Sequence, residues 1–267
     1  MRVLLCGSAL ALASCNSFPV PANPAVHVSP YLAKYQLRGD VGMQNNPGTG
    51  VENNADQSIA ALGQGSHGDD FGIRADIGDG FSGIRLDYYR MELGPSGPGT
   101  LTDELGALPT GEAATLEPRM DEWRLAWTQS VLDGALAWRG DPVRVRGAVG
   151  ATWANRDLSM DLQSTTASQG IDQSGDSLYA TARMRATLKQ VSLDVEYSLC
   201  PELHTGDWEG LAHDIETRLS YAIPFQDVTV FAGYRYSMLE GGGSRGGLAH
   251  NTDLVIDGFQ LGVTVTF

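Results

Sequence analysis

The sequence predicts an all-β fold, an antiparallel up-and-down β-barrel of about ten strands, with twelve as the main alternative and eight if an end strand frays. Three observations carry this. Apolar side chains alternate with polar ones along most of the chain, as in Phe259, Leu261, Val263, Val265 and Phe267, with Gln260, Gly262, Thr264 and Thr266 between them. The connections alternate short and long. Charged residues collect on one face of the alternating segments.

The elements follow in order. The first strand spans about Tyr31–Met43, with Tyr31, Ala33, Tyr35, Leu37, Val41 and Met43 on one face. The second carries Phe71, Ile73, Ala75 and Ile77, and the tight Gly78-Asp79-Gly80 turn leads to the third, with Ile84, Leu86 and Tyr88. Glycine and aspartate at a two- or three-residue link are a strong hairpin signal. The fourth carries Trp123, Leu125 and Trp127; the fifth carries Val143, Val145, Val149, Ala151 and Trp153. The sixth runs from Leu178 to Leu188, turns at Lys189-Gln190, and returns through Val191, Leu193, Val195 and Tyr197. The eighth carries Ile215, Leu219, Tyr221 and Ile223. Pro224 to Asp227 turn it into the ninth, Val228 to Tyr236, and the C-terminal tail is the tenth. Short links fall at 78–80, 132–141, 189–190 and 224–227; long ones fall at 45–69, 94–119, 156–176, 200–213 and 240–253. A further short strand over Ala135–Arg139 is the route to twelve.

The tail ending in Phe267 resembles the closing strand of bacterial outer-membrane β-barrels, which usually ends in Phe or Trp. The resemblance implies a Gram-negative outer membrane, short periplasmic turns, long extracellular loops and both termini in the periplasm. It also implies two partners: the barrel-assembly machinery, reading Phe259, Leu261, Val263, Val265 and Phe267, and the surrounding lipid and lipopolysaccharide. Aromatics near strand ends fit such a barrel, with Tyr88, Trp123, Trp153 and Tyr236 at the outer side and Phe81, Tyr221 and Phe267 at the inner.

Residues 1–14 read as an export signal: Arg2, then a short apolar run ending in small residues. Leu12-Ala13-Ser14-Cys15 resembles a lipobox, which implies a lipid on Cys15; ordinary cleavage after Ala13 is the alternative. Asn16 then fits outer-membrane sorting. Residues 15–30 read as a periplasmic linker and 31–267 as the barrel. Cys15 and Cys200 fall on opposite sides of the membrane in this layout, so no disulfide joins them. Cys200 reads as an unpaired rim thiol.

Strand parity sorts the charges. Eleven bases fall on the polar faces: Lys34, Arg38, Arg74, Arg85, Arg124, Arg144, Arg146, Arg183, Arg185, Arg218 and Arg235. Seven acids join them: Asp40, Asp76, Asp87, Glu122, Asp194, Glu196 and Glu216. Only Arg90 and Asp257 fall on oiled faces, both near the outer rim. The long loops hold sixteen acids and three bases, nearly the whole formal charge of −14. That balance excludes nucleic acid as a partner. The lumen set reads as a plug of paired charges, with a narrow anion-favouring pore as the alternative. No cofactor is expected. Asp69-Asp70 and Asp103-Glu104 offer oxygen ligands for Ca²⁺ or Mg²⁺, but without EF-hand spacing.

Catalytic signals are weak, and no enzyme is expected. Ten strands is also the number in the omptin proteases, which use acidic pairs and a histidine near the outer rim. His213-Asp214, Asp207, Glu209 and Asp69-Asp70 supply such residues, but not in the omptin order or spacing. Lipid-modifying barrels use a serine beside a histidine; His204 with Ser198 is the nearest pair, and Ser66-His67 lies in a glycine-rich loop. Gly241–Gly247 reads as a mobile loop tip. The resulting order of functions is a structural or surface-interaction barrel, then a narrow porin-like channel, then a rim-site hydrolase.

Overall fold

The computed structural model describes residues 24–44, 56–62, 70–94, 97–245 and 248–267. Ten strands form the wall: β1 Ala25–Met43, β2 Asp70–Gly78, β3 Gly83–Glu92, β4 Ala113–Trp138, β5 Asp141–Ser164, β6 Ser168–Leu188, β7 Val191–Pro201, β8 Trp208–Ala222, β9 Val228–Arg245 and β10 Leu248–Thr266. Each pairs antiparallel with its sequence neighbour, and β10 closes the ring on β1 from His27↔Thr266 to Met43↔His250. Two further strands of two residues each, Gln57–Ser58 and Gly99–Thr100, lie on β1 and β4. Between them in sequence, a 3-10 turn spans Ile59–Leu62. Among the described residues no helix is long and apolar enough to cross a membrane, so any crossing is made by strands.

The exterior is an apolar band: Leu32, Phe71, Ile73, Leu86, Trp123, Leu125, Val149, Leu193, Leu219, Phe259 and Leu261 all stand exposed. An apolar surface this extensive is unusual on a soluble monomer and suits contact with lipid.

The parity of β1 is the reverse of the expectation. Directly opposed residues on antiparallel strands share a face. Lys34 stands opposite Phe259, and Leu32 opposite Leu261. Lys34, Arg38 and Asp40 therefore lie on the outer face, while Tyr31, Tyr35 and Leu37 are buried within the ring. Tyr31 has room there because Gly72 faces it; a Cβ on Gly72 would fall 2.1 Å from the tyrosine Cζ. The strand also starts six residues earlier than the expected boundary, so the segment read as a linker through residue 30 supplies part of the wall.

The link expected at 132–141 is strand almost throughout. β4 has an irregularity between Ser130 and Leu132, then continues to Trp138 and turns at Arg139 and Gly140, with φ of 50° and 87°. Positive φ at both turn positions matches the twist of a two-residue hairpin. The ring therefore holds ten strands, not twelve, and the extra segment is an arm of β4. Arg144, opposite that arm on β5, is exposed and paired with Asp133 at 2.5 Å. Arg146, just above it, pairs with Asp79.

Several long connections are also strand. β4 and β5, of 26 and 24 residues, exceed the roughly 9–11 residues that a tilted crossing needs. Their hairpin with β6 leaves only residues 165–167 between β5 and β6. Gly241 to Arg245 continue β9 instead of forming a loop tip.

Candidate functional site

The enclosed side chains change character along the barrel. At the long-loop end they are apolar: Leu37, Met91, Leu116, Met120, Leu158 and Leu254 pack together. Ile59, Leu62, Leu101, Leu105 and Leu108, from the connections between strands, close over them. Below this cap sit Tyr35, Tyr89 and Tyr179, all buried, and then layers of charge.

The upper charged layer is built on Glu122 and Asp214. Glu122 accepts hydrogen bonds from Arg124, Arg156 and Arg235, the last at 2.6 Å. Asp214 accepts from Arg124 at 2.6 Å, from Arg235 at 2.8 Å and from the Ser237 hydroxyl. Arg156 is fully buried, and its guanidinium lies 5.3 Å from the Tyr179 ring centre. Such contacts offset part of the cost of burying a charge.

The middle layer is centred on Arg74. It forms a two-pronged pair with Glu216, Nη1 to Oε1 at 2.8 Å and Nη2 to Oε2 at 2.7 Å, and donates to Asp87 at 2.7 Å. The Tyr31 hydroxyl donates to the other Asp87 oxygen at 3.1 Å. Arg218 lies beside this group, with Nη2 3.5 Å from Glu216 and the guanidinium 3.9 Å from the Phe231 ring centre.

At the short-turn end, Arg85 joins Asp76 at 2.8 Å and Glu196 at 2.7 Å. Arg183 approaches Glu196 at 3.0 Å, and Arg185 holds Asp194 at 2.7 Å. The β2–β3 turn folds inward here. Asp79 Oδ1 accepts the backbone N–H of Phe81 and Ser82, and the Phe81 ring lies within 5.2 Å of the Arg146, Arg183 and Arg185 guanidiniums. Phe81 was expected in the inner aromatic girdle; it is 1% exposed and forms part of the floor instead. A cavity of about 280 Å³ lies at this end, among Arg85, Arg183, Arg185, Arg218, Ser220 and Thr264.

Of the eighteen residues expected in the interior, Lys34, Arg38 and Asp40 lie on the outer face and Arg144 is exposed at the short-turn end; the other fourteen line the interior. Two central members were missed. Arg156 was read as a loop base and Asp214 as a rim acid, because β5 and β8 run further than expected. Continuing the alternation Thr152, Ala154, Arg156 and Arg218, Glu216, Asp214 would have found both.

The catalytic candidates do not assemble. His213 and Asp214 are adjacent on an extended strand and point apart. His213 Nδ1 meets the Tyr197 hydroxyl at 2.8 Å on one face, while Asp214 is bound to arginines on the other. His204 Nδ1 meets Ser177 at 2.7 Å, not Ser198, and Nε2 meets the Gly210 carbonyl at 3.0 Å. Burial lowers the pKa of His204 below the ordinary imidazole value. Asp70 is buried and accepts the Glu92 N–H at 2.9 Å. Ser66, His67, Asp69 and Cys15 lie outside the described residues. Cys200 is unpaired, as expected, and its side chain is buried. Among the described residues no three His, Cys, Asp or Glu side chains converge as a metal site.

Two clusters mark the outer surface. Asp121 is bound by Tyr88 at 2.7 Å and Arg90 at 2.8 Å, with Trp123 stacked on Tyr88. Asp257 is bound by Gln36, Arg38 and Tyr234, with Phe259 against Tyr234. The two charges expected on oiled faces, Arg90 and Asp257, are thus each paired.

No family model and no curated protein matches the chain. Solved structures do. The outer membrane protease OmpT from Escherichia coli aligns over 90% of this chain and 97% of its own, with 9% identity and a TM-score of 0.50. Neisserial surface protein A aligns over 92% and 100%, with 14% identity and a TM-score of 0.38. Ail, the attachment invasion locus protein of Yersinia pestis, aligns over 89% and 99%, with 10% identity and a TM-score of 0.28. The closed antiparallel ring and the OmpT alignment define the class: this chain has the fold of the bacterial outer-membrane β-barrels.

Proposed function

We propose that the protein is a closed outer-membrane barrel that acts through its surface and does not conduct. The observation that carries this is the filled interior: layers of paired arginine and carboxylate beneath an apolar cap. Ten strands enclose little more than side chains can fill. In this reading the short turns and both termini face the periplasm, and the acidic long-loop end faces outward. The clusters around Asp121 and Asp257 suit the headgroup region of outer-leaflet lipid and lipopolysaccharide, where tyrosine, tryptophan and paired charge are favoured. Phe259 to Phe267 are the segment offered to the assembly machinery, and Cys15 is the candidate lipid anchor.

Planar-bilayer recording of refolded protein tests the central point. The expected result is no current step at either polarity; a reproducible anion-selective step would overturn it. A distant alternative, hydrolysis at the rim, is disfavoured by the divergence of His213 and Asp214.

A further inference from the structure

One guanidinium inside the ring is left without a close acceptor. Eight arginines (74, 85, 124, 156, 183, 185, 218 and 235) share the interior with eight carboxylates (70, 76, 87, 122, 194, 196, 214 and 216). Seven of the guanidiniums come within 3.0 Å of a carboxylate oxygen. Arg218 does not: it stops 3.5 Å from Glu216, both of whose oxygens already accept from Arg74. Arg218 Nε and Nη2 are buried and donate to no acceptor. Phe231 holds the guanidinium in place from one side, seated where Gly262 leaves room for its ring.

This unmatched cation lines the short-turn cavity, and so does His27, whose Nε2 is also buried without a partner. Each carboxylate in the cavity wall has an arginine: Asp76 and Glu196 have Arg85, Asp79 has Arg146, Glu216 has Arg74, and Asp194 is held by Arg185 through Oδ1, with Oδ2 buried and unpartnered. Ser220 and Thr264 add hydroxyls to the lining. We propose that this cavity binds a small oxyanion of the phosphate or sulfate type, with Arg218 as its principal cation. A tetrahedral oxyanion offers several acceptors to a guanidinium fork, and it satisfies the two buried Arg218 donors that have no acceptor. The paired layers above make the cavity a blind pocket, so the ion enters and leaves at the turn end.

The test is calorimetric titration of inorganic phosphate into the refolded full chain in neutral detergent, at constant ionic strength. Saturable binding at one site, displaced by sulfate and not by chloride, is expected. Glycerol 3-phosphate serves as a second arm, separating a pocket for the free ion from one that admits a monoester. Arg218→Gln is expected to weaken phosphate binding at least tenfold, and Arg119→Gln, at an exposed pair with Glu92, to leave it unchanged. If Arg218→Gln does not fold, as judged by heat-modifiable migration, Arg218→Lys is used and is expected to weaken binding several-fold. Absence of saturable binding to the wild-type chain, or equal binding by the folded Arg218 variant, overturns the proposal.

Discussion

Glu122 shows what a single residue contributes. Three guanidiniums converge on it. Glu122→Gln leaves Arg124 and Arg235 to share Asp214 and strips Arg156 of its one carboxylate, and should destabilise the barrel by about 3–5 kcal/mol, the cost of breaking a buried ionic group. Guanidinium unfolding in lipid vesicles would measure this. His204 gives a pH signature. Its folded pKa is below the unfolded value near 6.5, so the unfolded chain binds the proton first. Its contribution is present above pH ~6.5 and is lost as pH falls below that value. Proteolysis within residues 202–207 should therefore rise from pH 7.5 to pH 5, and His204→Gln should flatten the rise. At this scale the sequence was legible where alternation was unambiguous, as at Arg74 or Glu196. It failed at β1 because Tyr31, Tyr35 and Leu37 suit a lipid face and a filled interior equally well. The register with Phe259, which decides between them, is a long-range fact.

Among the elements, the β4–β5 arm carries the clearest test. β4 pairs with β3 only as far as Thr128, opposite Gly83. Beyond it, Leu136, Trp138 and Asp141 are paired within their own hairpin. Removing residues 134–143 and rejoining the ends with a two-residue turn should leave a heat-modifiable, folded barrel; loss of heat-modifiable migration would show that the arm belongs to the wall. The arm was unreadable as strand because the bulge at Ser130–Leu132 interrupts the period-two pattern. The long-loop ends of the strands were unreadable for another reason: Leu158, Met160 and Leu162 alternate with Asp157, Ser159 and Asp161 in an acidic stretch that reads as a polar loop.

For the whole molecule, closure depends on β10 meeting β1 along fifteen residue pairs. Phe267 ends that seam: its N–H donates to the Val26 carbonyl at 2.8 Å, and its carbonyl accepts the Val26 N–H at 3.2 Å. Phe267→Ser should lower the yield of assembled barrel in cells several-fold while leaving detergent refolding nearly unchanged. Equal membrane yield would remove the tail from any recognition role. Strand number was legible from periodicity and turn chemistry, and the ring and its closing strand from the resemblance of the Phe267 tail to those of outer-membrane barrels. The apolar cap was not, because Ile59, Leu62 and Leu101 reach it from connections with no period to read.

A closed ring has no free strand edge, yet the β4 arm restores one. From residue 129 to 138 one side of β4 has no neighbour among the described residues, and Leu132, Leu136 and Trp138 are exposed on it. An open edge with apolar side chains is a template on which a second chain can add a strand. The bulge after Ser130 and the carboxylate of Asp133, tied to Arg144, stand guard on it. Asp133→Val should release that guard, and crosslinking of vesicle-embedded protein should then trap dimers joined through this arm. The arm therefore makes self-association at the turn end a matter of one charge.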